Sequence, residues 1–206
     1  MGTPKNESGF SDGFADFLIK QEADGGAKLK PYKDSNDHWT IGYGHKLGKG
    51  GENHPEITEE QALTLLDEDI TKAGKRARNS IDKKYGAGTW EGLPPLKKEA
   101  LADFEFNVGS VATQFPNLTR AIVNDDRLRI GKEFMRWHDH DGDDDQWKKL
   151  NRRGEDGNVK EPLRRRNQAW WNKYGKALTG IKYRDTKAVA RMVDFLDSMG
   201  IPTEDM

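Results

Sequence analysis

Residues 32–45 read Tyr32-Lys33-Asp34-Ser35-Asn36-Asp37-His38-Trp39-Thr40-Ile41-Gly42-Tyr43-Gly44-His45. Trp39, Ile41 and Tyr43 alternate with Thr40, Gly42 and Gly44, the two-residue period of a strand with unlike faces. Asp34 to Asp37 supply turn chemistry between this strand and the extended stretch that begins at Leu29. The segment Leu29–His45 is therefore expected to form a small hairpin or three-stranded sheet.

On both sides of it the spacing turns helical. Phe10, Phe14, Phe17, Leu18 and Gln21 recur at helical intervals behind a Ser11 or Asp12 cap, and Gly25-Gly26 can end that helix. Downstream, Thr58-Glu59-Glu60-Gln61 is a capping box, with Ile57 placed as a staple. It opens a helix carrying Ala62, Leu65, Leu66, Ile70 and Ala73. Tyr85 to Pro95 reads as a loop and Glu99 to Val108 as a buried helix stopped by Gly109. Shorter helices are expected over 117–124 and 129–138. Pro162 can start one that runs to Tyr174, and a last helix covers Asp185 to Met199. The fold class is mainly α (α+β): two lobes, a small N-terminal sheet and a larger helical body. Residues 1–9 read as a tail, 10–176 as one domain with its β lobe at about 27–57, and 177–206 as a helical extension packed on it.

Composition narrows the function. The chain has 206 residues, 34 basic and 35 acidic, for a net charge of −1. That excludes a strong basic field for nucleic acid. There is no Cys, so disulfides, thiolate metal sites and cysteine nucleophiles are excluded. No apolar run reaches the roughly 18 residues that span a bilayer, so no membrane insertion is expected. The polar first ten residues do not read as a secretory signal.

Three residues stand out for chemistry. Glu22 follows Leu18 by four positions and Phe14 by eight, on the apolar stripe, where partial desolvation favours the protonated form a general acid needs. Asp34 sits where a strand turns, and Thr40 faces away from Trp39 and Ile41. Each has an ordinary structural reading by itself.

Together they resemble the phage lysozyme (muramidase, endolysin) family of glycoside hydrolases. That family shows a helix ending in Glu, an extended Tyr-x-Asp, then Thr-Ile-Gly-x-Gly-His, matched here by Thr40-Ile41-Gly42-Tyr43-Gly44-His45. Phe106-Asn107-Val108-Gly109, Phe134-Met135-Arg136-Trp137 and Leu163-x-Arg165-Arg166 continue the likeness, which covers roughly residues 14–175. The resemblance implies Glu22 as general acid, Asp34 holding the attacking water and Thr40 helping to position it, with inversion. It implies peptidoglycan as partner and the β-1,4 bond between N-acetylmuramic acid and N-acetylglucosamine as the bond cut. Gly42, Tyr43, Gly44 and Asn107 are the expected substrate-binding residues. It implies a phage or prophage protein, made in the host cytoplasm, that reaches the wall after the membrane is permeabilised. One departure is that Asp34 lies 12 positions after Glu22, a longer gap than in the family, so Asp24 is a rival acid. Glu22 is preferred for its type and its place on the stripe. Lytic transglycosylase chemistry, or a silent wall-binding or virion structural protein on the same fold, are the alternative readings.

Other residues carry quieter expectations. His45 and Asp69 should form a structural ion pair. Glu105, interrupting an apolar run, should be paired or at an edge, with a second site carboxylate as the sharper alternative. The acidic run Asp139–Asp145 fails calcium-loop spacing, since Gln146 and Arg152 fall where Gly and Glu are required. No metal and no cofactor are expected. Arg164-Arg165-Arg166 read as a solvated helix face, with contact to anionic wall groups as the alternative. Trp170 and Trp171 read as core. The apolar side of the last helix (Val189, Met192, Val193, Phe195, Leu196, Met199) is expected to dock on the main lobe, with a dimer or partner helix as the alternative. The chain as a whole is expected to be a monomer.

Overall fold

The structure, a computed structural model, describes residues 10–22, 26–34, 37–138 and 168–203. The chain divides into two compact units, Met1–Gln114 and Phe115–Met206.

In the first unit, helix α1 (Asp12–Glu22) buries Phe14 and Leu18 and leaves its other face to solvent. A three-stranded antiparallel sheet follows: β1 (Lys28–Lys33), β2 (Trp39–Gly42) and β3 (His45–Lys46), in that spatial order. The register sets Tyr32 opposite Thr40, and Thr40 opposite Lys46. Ile41, on the other face, is fully buried.

Helix α2 (Glu59–Tyr85) begins with the expected capping box. Gln61 N–H donates to Thr58 Oγ1 at 3.2 Å, and Thr58 N–H donates back to Gln61 Oε1 at 2.8 Å. Ala62, Leu66, Ile70, Ala73, Ala77 and Ile81 form its buried stripe, a helical period carried over five turns. Gly74 interrupts a good helix-forming run because a Cβ there would come within 2.9 Å of the Phe10 ring. Helix α4 (Pro95–Val108) starts earlier than its apolar run suggests, since a proline at the first helical position loses no backbone bond. Glu99 through Glu105 are all buried.

Two short helices are not expected from the sequence, the first of them inside the stretch read as loop, Tyr85 to Pro95. For α3 (Thr89–Gly92), Asp82 on α2 accepts the Trp90 N–H at 2.8 Å and so caps it from another helix. For α5 (Val111–Gln114) the cap is Glu105.

In the second unit, α6 (Pro116–Val123) and α7 (Arg127–His138) are followed, past residues that lie outside the description, by a π-helical turn at Trp171–Gly175. Then come α8 (Lys176–Thr179) and α9 (Thr186–Ser198). Trp170 and Trp171 are buried, as expected for core, their rings 5.2 and 4.7 Å from that of Phe134. Gly175 is required by this packing: a Cβ there would sit 2.4 Å from the Trp171 ring.

Helix α9 lies on α7, and Gly131 of α7 admits Val189 so closely that a Cβ would meet it at 3.2 Å. Its apolar residues divide between two faces. Val193 and Leu196 are buried, but Met192 (40% exposed), Phe195 (61%) and Met199 (49%) are not, which corrects the single docking face read from the sequence. The seam is clamped by charge. Arg129 donates to both oxygens of Asp197 at 2.7 and 3.2 Å, Lys132 reaches Asp197 as well, and Lys132 lies 2.9 Å from Asp194. Thr203 Oγ1 donates to Asp126 Oδ2 at 2.7 Å, while Asp126 Oδ1 caps α7 at Arg129 N–H.

Candidate active site

The expected catalytic and substrate-binding residues, Glu22, Asp34, Thr40, Gly42, Tyr43, Gly44 and Asn107, all belong to the first unit. Glu22 is the last residue of α1. Asp24 lies outside the described residues, as do Asp139–Asp145, Arg152 and the arginines 164–166.

Asp34 and Thr40 converge on the backbone of one residue that the sequence reading did not single out, His38. Asp34 N–H donates to the His38 carbonyl at 2.9 Å. Asp34 Oδ1 accepts the His38 N–H, also at 2.9 Å. Thr40 Oγ1 donates to the same His38 carbonyl at 3.0 Å. The His38 imidazole Nδ1 stands 3.5 Å from Asp34 Oδ2. The turn is closed further by Asp37, whose N–H reaches the Asp34 carbonyl at 3.0 Å with its own φ at 63°. Its carboxylate pairs with Lys33 at 2.6 Å. Asp34 is half-buried and Thr40 is buried. The signal for His38 was present in its i+4 spacing from Asp34 across a turn.

The glycine-rich end of the motif is built for packing. Gly42 is buried at φ +62°, and a Cβ there would sit 3.3 Å from the Cβ of Ala62. The backbone it admits closely is that of α2. Tyr43, expected to touch substrate, is buried, and its hydroxyl donates to Glu59 in the first turn of α2. Burial, then the neighbouring carboxylate, pushes this phenol up to about 12. Gly44, at φ +96°, is half-buried. Behind the hairpin, His45 Nδ1 lies 2.8 Å from Asp69 Oδ2, tying β3 to α2.

On α4, Asn107 is half-buried and gives its amide hydrogens to the Asp103 carbonyl (2.6 Å) and Asp103 Oδ1 (2.8 Å). Glu105, two residues before it in the same helix, is buried and paired. Its Oε1 accepts Ser110 N–H at 2.9 Å and Arg76 Nε–H at 3.3 Å, and its Oε2 accepts Val111 N–H at 2.9 Å. It fixes the reversal after α4, where Gly109 and Ser110 both have positive φ. Among the described residues, no three His, Asp or Glu side chains gather as a metal ion would require.

Comparison with known proteins is consistent with this geometry. The family model described as phage lysozyme matches residues 22–157, so the match opens on Glu22 and spans Asp34, Thr40 and Asn107. An endolysin of Acyrthosiphon pisum secondary endosymbiont phage 1 is 30% identical over 114 residues, covering 54% of this chain and 70% of the relative. Among solved structures, the muramidase domain of SpmX from Asticaccaulis excentricus superposes with a TM-score of 0.56 at 19% identity, over 84% of this chain and 98% of that one. The active form of the P1 phage endolysin Lyz gives 0.55 at 12% identity, over 84% and 88%. At those identities the two structures speak for the fold alone. The family match, covering well over half the sequence and including the hairpin, gives the assignment: the chain belongs to the phage lysozyme family and is a glycoside hydrolase.

Proposed function

We propose that this peptidoglycan hydrolase cuts the β-1,4 bond between N-acetylmuramic acid and N-acetylglucosamine by single displacement with inversion. Glu22 protonates the glycosidic oxygen. Asp34 takes the proton of the attacking water, and Thr40 positions that water.

The observation that supports this reading is the His38 backbone shared by Asp34 and Thr40. Thr40 spends its only proton on the His38 carbonyl, so its oxygen faces any further partner as an acceptor. Asp34, oriented by the His38 N–H, is an acceptor too. A water that gives one hydrogen to each turns a lone pair outward, toward an anomeric carbon. As the new C–O bond forms, the water proton passes to Asp34 while the proton of Glu22 leaves with the departing sugar. Restoring Glu22 and clearing Asp34 returns the enzyme to its starting state, with one water consumed. A carboxyl separation of about 6.5–9.5 Å accommodates such a water.

Gly44 and Asn107 supply sugar contacts in this reading. Gly42 and Tyr43 act one step back, holding the hairpin on α2, and His45–Asp69 has the same supporting role. The protein is made in the host cytoplasm and works on the cell wall once the membrane has been opened; no described helix is long and apolar enough to cross a bilayer.

The test is digestion of purified peptidoglycan by wild type, Glu22→Gln and Asp24→Asn in parallel, with products identified by mass spectrometry. Reducing muropeptides ending in muramic acid from wild type and Asp24→Asn, and almost none from Glu22→Gln, are expected. Loss in Asp24→Asn alone moves the acid to Asp24. Anhydro products replace hydrolysis by transglycosylation. The anomer released first, followed by NMR, decides inversion.

A further inference from the structure

Helix α9 presents a second apolar face that its packing on α7 does not use. Ala188, Met192, Phe195 and Met199 are all exposed, at intervals of four, three and four residues. Met192, Phe195 and Met199, with Ile201 just beyond, are between 40 and 61% exposed. Together they offer on the order of 400 Å² of apolar surface, the size at which a patch on a monomer is commonly functional. The intervals read the same in both directions. A second α9 laid antiparallel therefore sets Met192 against Phe195 and Ala188 against Met199, twice over, about an axis midway between them.

Charge points the same way. Lys187 and Arg191 occupy the N-terminal half of α9, and Asp194 and Asp197 the C-terminal half. Apart from Asp185 at the N-cap, this is the reverse of what the helix dipole favours. Arg129 and Lys132 of α7 account for Asp197 and reach Asp194. An antiparallel copy brings the basic half over the acidic half, with Arg191 near the Asp194 of the other copy, and Asp194 is 66% exposed and within reach of a second cation. A helix made for an anionic lipid surface carries cations along its whole polar face; the acidic half of α9 argues against that occupant.

We propose that α9 is a self-association surface, pairing antiparallel and two-fold with α9 of a second copy of this chain through Met192, Phe195 and Met199. This departs from the monomer expected on sequence alone and is independent of the catalytic reading. With about 800 Å² buried in total the pairing falls below the standard interface size, at the weak, reversible end.

Sedimentation velocity of the full chain from about 5 to 500 µM covers weak, reversible association. A reversible dimer is expected. Phe195→Asp should weaken it more than tenfold with the melting temperature unchanged, since Phe195 is 61% exposed. Arg191→Asp should weaken it several-fold at low salt and less at high salt. Because the chain has no Cys, orientation is read by mixing Met192→Cys and Phe195→Cys proteins under oxidation, where the mixed disulfide should dominate over either self-linked dimer. A protein that stays monomeric at the highest concentration overturns the proposal, as does a dimer indifferent to Phe195→Asp or a monomer that floats with anionic vesicles.

Discussion

Asp34 and His38 exchange two hydrogen bonds: the backbone N–H of Asp34 reaches the His38 carbonyl at 2.9 Å, and the His38 N–H reaches Asp34 Oδ1 at 2.9 Å. The candidate base is thus also a structural member of its own turn. Asp34→Asn keeps an oxygen to accept the His38 N–H while removing the proton acceptor. It should lower peptidoglycan hydrolysis by about 10²–10⁴, the usual weight of a general base, with the melting temperature nearly unchanged. Asp34→Ala should lose both activity and stability. Comparing turbidity clearance with thermal melts separates the two effects, and an Asn variant within threefold of wild type would remove Asp34 from the chemistry.

Glu105 is committed on both oxygens. Glu105→Gln leaves one oxygen and turns an NH2 group toward an N–H donor in a buried site. The expected loss is about 2–4 kcal/mol, or about 5–15 °C in a chain of this length. Urea and thermal unfolding measure it. If the variant loses activity at full stability, the carboxylate has a role in the site instead.

Asp197 gives stability a pH signature. Hydrogen bonds from Arg129, then Lys132, hold its carboxyl well below the usual carboxylate range. A group lowered on folding stabilises the native state above its unfolded pKa, about 3.9, and that stabilisation is lost as pH falls through the lower folded value. Asp197→Asn should therefore melt below wild type at pH 6–7, and the gap should narrow as the pH falls from about 4 toward 2. Calorimetry across that range would show it. A gap that widens in acid contradicts the clamp.

The His45–Asp69 contact joins β3 to α2 at 2.8 Å. A double-mutant cycle with His45→Ala and Asp69→Ala should give a coupling of about 1–3 kcal/mol. Initial rates at saturating substrate should stay within a factor of two when assayed well below the melting transition. A collapse in rate at unchanged stability would place His45 in the reaction.

The hairpin and its long helix were legible because their signals are local: alternation over 39–45, and a capping box four residues long. The buried helix after Pro95 was legible through its apolar run. What escaped depended on partners in other elements. The short helices at 89–92 and 111–114 are capped by Asp82 and Glu105, five to eight residues upstream in the preceding helices, and nothing in their own composition announces the cap. Gly42 and Tyr43 carry the family motif plainly, but whether they face a sugar or α2 is decided by Ala62 and Glu59. The two faces of α9 share one helical period, and only the position of α7 says which of them is covered.

The Thr203–Asp126 bond closes a span of 77 residues, and with Arg129, Lys132 and Asp197 it locks the last described turn of the chain onto α7. Ring closure over that length carries an entropic cost on the order of 4 kcal/mol, which local helix formation cannot offset in advance. The second unit therefore has a high-contact-order closing step. On the ribosome, α7 must wait for α9 to emerge, so a nascent chain can hold a finished hairpin and α2 well before its other unit is shut.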